Sequence, residues 1–340
     1  MSYFPTLYGN DALKERIRKS LTCGNLSHAF IIEGPEGTGK RTFARLIAAA
    51  LSCTDKSGDV PCGTCPSCEK ILSDNSTDVR ILDKGSEASV KIDAIRDLKR
   101  DMYLSPTENE YKVYIIDDAE TMTAQAQNAL LIVLEEPPKN VIIFLLTSRS
   151  DLLLPTIRSR AQLLRMSLFS REETETYLSE KRPEAARLLR ESPEKFHAAV
   201  GSAGGAIGKA IEALSPSAAD AVMKKRALTD ALLTASIERK PFSAICDAVF
   251  SLPQKRAELS EILRLFTVAL SDLIRLQKDD DANLAYYYDR ETASELSSRA
   301  GSARLFRLYD RLCSIITDLE NNANVNVMLT TLADDIKSNL

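Results

Sequence analysis

At 340 residues the chain is long enough for two or three domains with buried cores, and its 44% apolar and 27% charged residues are ordinary for a globular protein. A net charge of −4 excludes an overall basic field that would draw the chain to nucleic acid, so any DNA contact has to come from a local basic strip or from a partner. The N-terminus has no apolar signal core, and no run of about 18 apolar residues appears anywhere, which reads as a cytoplasmic protein without a membrane segment.

Asn10 to Leu21 has Leu13, Ile17 and Leu21 at intervals of four, the spacing of an amphipathic helix, and Cys23-Gly24-Asn25 stops it. His28 follows; a lone histidine before a strand more often packs or caps than acts as a base. Ala29 to Ile32 is an apolar strand that runs into Gly34-Pro35-Glu36-Gly37-Thr38-Gly39-Lys40 and then a helix through Phe43, Leu46, Ile47, Ala50 and Leu51. Strand, glycine-rich turn and helix in that order make a phosphate-binding loop, whose N–H groups and helix N-terminus face phosphate oxygens. Gly34, Gly37, Gly39 and Lys40 supply the grip. The pattern then fails, because Arg41 stands where a Ser or Thr hydroxyl would hold Mg²⁺. Thr42 comes one residue late, about 100° around the helix.

Seven cysteines are present, and Cys53, Cys62, Cys65 and Cys68 fall within 16 residues around PCGTCPSC. Glycine and proline between thiols make tight turns that let sulfurs converge on one tetrahedral ion, so a closed, structural Zn²⁺ site is expected rather than disulfides, loose thiols or a redox pair. Asp78 to Leu82 reads as a second strand and Ile92 to Met102 as a helix. Tyr111 to Asp118 is a buried, parallel-type strand ending in two carboxylates. This strand end resembles the Walker B position of P-loop proteins, which implies that Asp117 assists Mg²⁺ and Asp118 orients the attacking water, although it is one methylene shorter than the usual Glu; the plain alternative is a pair of acids capping the next helix. Met122 to Glu135 is a helix closed by Glu136-Pro137-Pro138. Val141 to Leu146 is another strand; Thr147 at its end is either a sensor of a γ-phosphate or an ordinary polar strand end, and Ala161 to Met166 is the last strand. Alternating strands and helices predict a doubly wound α/β domain.

The β pattern disappears from Ser170. Glu172 to Leu189 and Phe196 to Leu214 give short helices, the latter broken by Gly201-Ser202-Ala203-Gly204-Gly205, and Ser215-Pro216-Ser217 reads as a linker. Ala221 to Glu238, Phe242 to Leu252, Glu258 to Leu276, Ala303 to Glu320 and a segment from Val325 are helix-patterned, with a polar loop over Lys278 to Ala285.

Taken together, PCGTCPSC, IIDDAETMTAQAQNALLIVLEEPP, LLPTIRSRAQ and NNANVNVMLTTL resemble the clamp-loader subunits of bacterial DNA polymerase III, in the AAA+ family, over nearly the whole chain. Of the two subunit types that share this plan, VKIDAIRDL, DDAETMTAQAQNALL and the damaged phosphate loop are similar to δ′, with the γ/τ motor as second choice. The resemblance implies an AAA+ α/β domain with a zinc insertion (residues 1–166), a small helical lid (167–214) and a helical collar for oligomerisation (215–340). It also implies that Arg160, at the arginine of the family's Ser-Arg-Cys motif (here Ser159-Arg160-Ala161), reaches the γ-phosphate held by a neighbouring subunit. A sensor arginine expected near Gly205 to Ala210 is missing, since Gly208-Lys209 offers none.

The expected partners are γ/τ and δ subunits, the sliding clamp and, indirectly, primer-template DNA, with no membrane. The expected cofactors are structural Zn²⁺ and weakly held ATP or ADP, without a complete Mg²⁺ site. The readings in competition are an autonomous γ/τ-type ATPase and a metal-bearing nucleotide-binding module with no loading role.

Overall fold

The computed structural model describes residues 3–85, 89–238 and 240–338. The chain divides into two compact units: one runs to Phe169 and takes in Ala206–Gly208, and the other holds Ser170–Gly205 and everything from Lys209 on.

The first unit is built on five strands, β1 (Ala29–Glu33), β2 (Val79–Leu82), β3 (Lys112–Ile116), β4 (Val141–Thr147) and β5 (Gln162–Arg165). All pairings are parallel, in the order β2-β3-β4-β1-β5. Its helices are α1 (Asp11–Thr22), α2 (Lys40–Ser52), α3 (Pro66–Leu72), α4 (Ile92–Met102), α5 (Ala124–Glu135) and α6 (Pro155–Arg158). Successive strand residues face opposite sides, so Phe30, Ile32, Val113, Ile115, Phe144 and Leu146 enter a core shared with α1 and α2. Ala29, Ile31, Tyr114, Ile116, Ile143 and Leu145 enter a second core shared with α4 and α5. Burial on both faces explains why β3 and β4 read as unbroken apolar runs. Because every strand runs the same way, the residues after β1, β3 and β4 meet at one edge of the sheet, and the phosphate loop lies there.

The second unit is helical: α7 (Arg171–Lys181), α8 (Pro183–Glu191), α9 (Pro193–Ser202), most of α10 (Ile207–Ala213), α11 (Pro216–Ile237), α12 (Phe242–Phe250), α13 (Arg256–Leu276), α14 (Arg290–Arg299), α15 (Ser302–Glu320) and α16 (Val325–Ser338). It contains two separate apolar cores, one around Leu178, Phe196 and Val200, the other around Ile262, Phe266, Leu270 and Leu312. Asp272, fully buried in the second, accepts N–H bonds from Ala285, Tyr286 and Tyr287 and so pins the polar loop that follows α13.

Two local readings change, and two helices are additional. The stretch Glu172 to Leu189 is two helices, because Pro183 cannot continue α7 and instead starts α8. Ser215-Pro216-Ser217 is no linker: Ser215 is the N-cap and Pro216 the first residue of α11. Helices α3 and α14 were not legible as periodic segments, α3 being seven residues long.

Candidate functional site

The phosphate loop is shaped by glycines where side chains are unwelcome. Gly39, the N-cap of α2, has φ +91°, and Gly37 has φ +80°. Gly208 is bound to this loop, donating its N–H to the Gly37 carbonyl at 2.8 Å, and a Cβ on Gly208 would lie 2.8 Å from that same oxygen. The structure thus presses a bare backbone against the phosphate loop at the place where the resemblance implies a sensor arginine. Thr38 turns its hydroxyl back to the Pro35 carbonyl (2.8 Å).

Lys40 folds over its own loop, Nζ donating to Gly34 O (2.6 Å) and Pro35 O (3.0 Å). Burial lowers its pKa, and Asp117, Glu120, Asp118 and Glu36 pull it back up. Arg41 points to the end of β3. Its Nε and Nη2 lie 2.7 and 2.5 Å from the same Oδ2 of Asp117, and Nη2 is 3.9 Å from Asp83. The other Asp117 oxygen accepts the N–H of Asp118 (3.0 Å). Asp118, at φ +46°, pairs with Lys84 Nζ at 3.1 Å. Thr42 is exposed on α2, about 100° around the helix from Arg41. Thr147 is fully buried at the end of β4, where its hydroxyl oxygen accepts the Arg149 N–H (3.0 Å).

Gly34, Gly37, Gly39, Lys40, Arg41, Asp117, Asp118 and Thr147 are therefore gathered at one edge of the sheet. Spacing alone did not reveal that Arg41 and Lys84 answer the two strand-end acids, since both pairings cross between elements. Glu33 was also missed: at the end of β1 it accepts bonds from Ser150 N (3.0 Å) and Oγ (2.5 Å) and from Arg165 (2.8 Å). These contacts outweigh burial, the largest influence, and hold its carboxyl below the usual range. His28 gives Nε2 to a 3.1 Å contact with the Leu134 carbonyl, a packing role.

Arg160 sits apart, just past α6. It pairs with Glu135 (2.8 Å), donates to the Thr156 carbonyl (3.1 Å), and its side chain is about a third exposed (36%).

The four cysteines converge. Sγ of Cys53, Cys62, Cys65 and Cys68 all lie within 4.8 Å of one another, with Cys62 and Cys68 at 4.0 Å. Four sulfurs around one Zn²⁺ at about 2.3 Å would stand about 3.8 Å apart, so the set fits a tetrahedral ion. N–H groups of Cys62 and Cys65 donate to Cys53 and Cys62 sulfurs (3.4 and 3.3 Å). Burial pushes the Cys68 thiol up. For Cys65 burial is also the largest influence, but donors from Thr54 and Cys68 prevail and bring it down to about 6.

An all-parallel sheet with a phosphate loop after its first strand and acids after its third defines a P-loop nucleotide-binding fold. Residues 9–170 match the family model described as "DNA polymerase III, delta subunit", and residues 222–333 match "DNA polymerase III, delta subunit, C terminal". The chain belongs to the clamp-loader subunits of bacterial DNA polymerase III, a branch of the AAA+ proteins. Among its relatives are "DNA polymerase III subunit gamma/tau" of Mycobacterium bovis (35% identical over 159 residues, 46% of this chain and 27% of that one) and "DNA polymerase III subunit tau" of Escherichia coli (31% over 199 residues, 56% and 31%). The chain thus spans about a third or less of the length of these relatives. A gamma subunit-related protein of Thermotoga maritima aligns over 95% of this chain and 99% of its own, at 18% identity and a TM-score of 0.46. No helix among the described residues is long and apolar enough to cross a membrane.

Proposed function

We propose that the chain is a non-motor, δ′-type subunit of the DNA polymerase III clamp loader, which helps to place the sliding clamp on primed DNA. It assembles with γ/τ and δ subunits, and primer-template DNA is met through that assembly. The observation that carries the non-motor part is the Arg41–Asp117 ion pair, with both Arg41 contacts on one carboxylate oxygen where a metal would be held. With Asp118 paired to Lys84 as well, ATP hydrolysis at this chain's own site would be weak or absent. The two cores of the helical unit support a lid before about residue 214 and a collar after it.

Arg160 is the group this subunit gives away. Its pair with Glu135 is solvent-exposed, and such pairs are worth about 0–1 kcal/mol, so the guanidinium can leave Glu135 at small cost. A permanently charged fork placed against a neighbour's γ-phosphate offsets the charge that spreads over the phosphoryl group in the transition state. Zn²⁺ held by Cys53, Cys62, Cys65 and Cys68 would brace the segment between α2 and β2 and, with four thiolates, leave no open position for chemistry.

Replacing Arg160 by Ala in a reconstituted loader should cut DNA- and clamp-stimulated ATPase severely, and unchanged turnover would overturn the role. The γ/τ-type motor is the second reading, favoured by the names of the relatives at 31–35% identity. It predicts Mg²⁺-dependent ATP turnover by the isolated chain.

A further inference from the structure

The acids beside the phosphate loop already have cations of their own. Asp117 holds Arg41, Asp118 holds Lys84, and Asp83 stands 3.9 Å from Arg41. Mg²⁺ bound at such a loop keeps near-octahedral oxygen ligation, from waters, one or two carboxylates, phosphate oxygens and the loop hydroxyl. Here the hydroxyl position carries a guanidinium, and that guanidinium lies on the carboxylate best placed to steady the metal. These residues do not fit Mg²⁺.

We propose that Arg41 does the metal's electrostatic work, so that the pocket takes the two phosphates of a nucleoside diphosphate with no divalent cation. The proposal rests on the non-motor reading and deepens it by assigning the ligand. Only Nε and Nη2 of Arg41 are engaged; Nη1 makes no hydrogen bond or ion pair among the described residues and is left to donate to phosphate. Lys40 would exchange two neutral carbonyls, those of Gly34 and Pro35, for a charged oxygen, and a bond with both partners ionised is the stronger one.

The diphosphate is favoured over the triphosphate because the groups that would handle a third phosphate are compromised. The residues beside the phosphate loop do not fit Mg²⁺, Asp118 is paired with Lys84, and Thr147 is fully buried, its oxygen held by the Arg149 N–H.

Titration calorimetry of the full chain with ADP, once in Mg²⁺ and once in EDTA, tests this. The affinity should agree within about twofold between the two buffers, and Lys40→Ala should abolish the heat. Arg41→Ser, which restores the loop hydroxyl, should make ADP binding stronger in Mg²⁺ than in EDTA by about tenfold or more, and Arg41→Gln, close to Arg in bulk, should weaken it in both buffers. Absence of ADP binding in both buffers, loss of wild-type affinity in EDTA, or an Arg41→Ser protein indifferent to Mg²⁺ would each overturn the proposal. None of these touches the donation of Arg160, which is read in the assembled loader. Mg²⁺-dependent ATP turnover by the isolated chain would instead overturn the non-motor reading on which the proposal rests.

Discussion

Gly208 and Gly37 meet backbone to backbone, and this contact depends on the absence of one carbon atom. A Cβ at Gly208 would come within 2.8 Å of Gly37 O and 3.1 Å of its Cα, and neither is the end of a flexible side chain. Gly208→Ala must therefore push the segment off the phosphate loop and break the 2.8 Å bond. The expected cost is about 1–3 kcal/mol, read as a drop of several degrees in the thermal midpoint. An unchanged midpoint would mean that the contact carries no stability. The site's chemistry was legible in part at this scale. Gly34, Gly39 and Lys40 announce themselves by spacing, and Arg41 by breaking the pattern. The answer of Arg41 to Asp117, and of Lys84 to Asp118, was not legible, because each joins residues brought together only when the sheet forms.

Elements were clearest where one physical signal dominated. The apolar runs of β1, β3 and β4 stand out because parallel strands are buried on both faces, and α13 because its apolar stripe repeats over 21 residues. Helix α14 has only a weak apolar stripe and owes its start to Asp289, whose carboxylate accepts the N–H groups of Glu291 and Thr292. Asp78, just before β2, plays a similar part for a loop. Almost fully buried, it accepts N–H bonds from Thr107 (2.7 Å), Glu108 (2.8 Å) and Asn109 (2.8 Å). Burial alone would raise its pKa, yet these donors outweigh burial and lower it. A lowered folded pKa contributes stability that is complete above the unfolded value, about 3.9, and is lost as pH falls through the folded value. Asp78→Asn should lower the thermal midpoint at neutral pH and flatten its fall below about pH 4. A variant whose midpoint tracks the wild type through that acid range would refute the role. The cysteine cluster makes the matching prediction for metal. Protein purified without chelator should hold about one Zn per chain, and stripping it should lower the thermal midpoint. A metal-free chain of unchanged midpoint would discard the site.

At the scale of the whole molecule the question is whether this chain works alone. An isolated nucleotide-binding module would leave Arg160 idle beside Glu135 and would need no second set of helices beyond a lid. A loader subunit uses both, the helices to hold it among related chains and the arginine to act on a neighbour. These two uses separate experimentally, because the Arg160–Glu135 pair is exposed and adds little to the fold. Affinity purification of the wild-type chain from its own cells should recover two other loader proteins, and the Arg160→Ala chain should recover the same two in equal amount. Equal recovery with lost ATPase in the reconstituted loader assigns Arg160 to catalysis in a neighbouring site. Loss of recovery in the variant would make Arg160 an assembly residue, and recovery of no partner by the wild type would return the chain to the free-module reading.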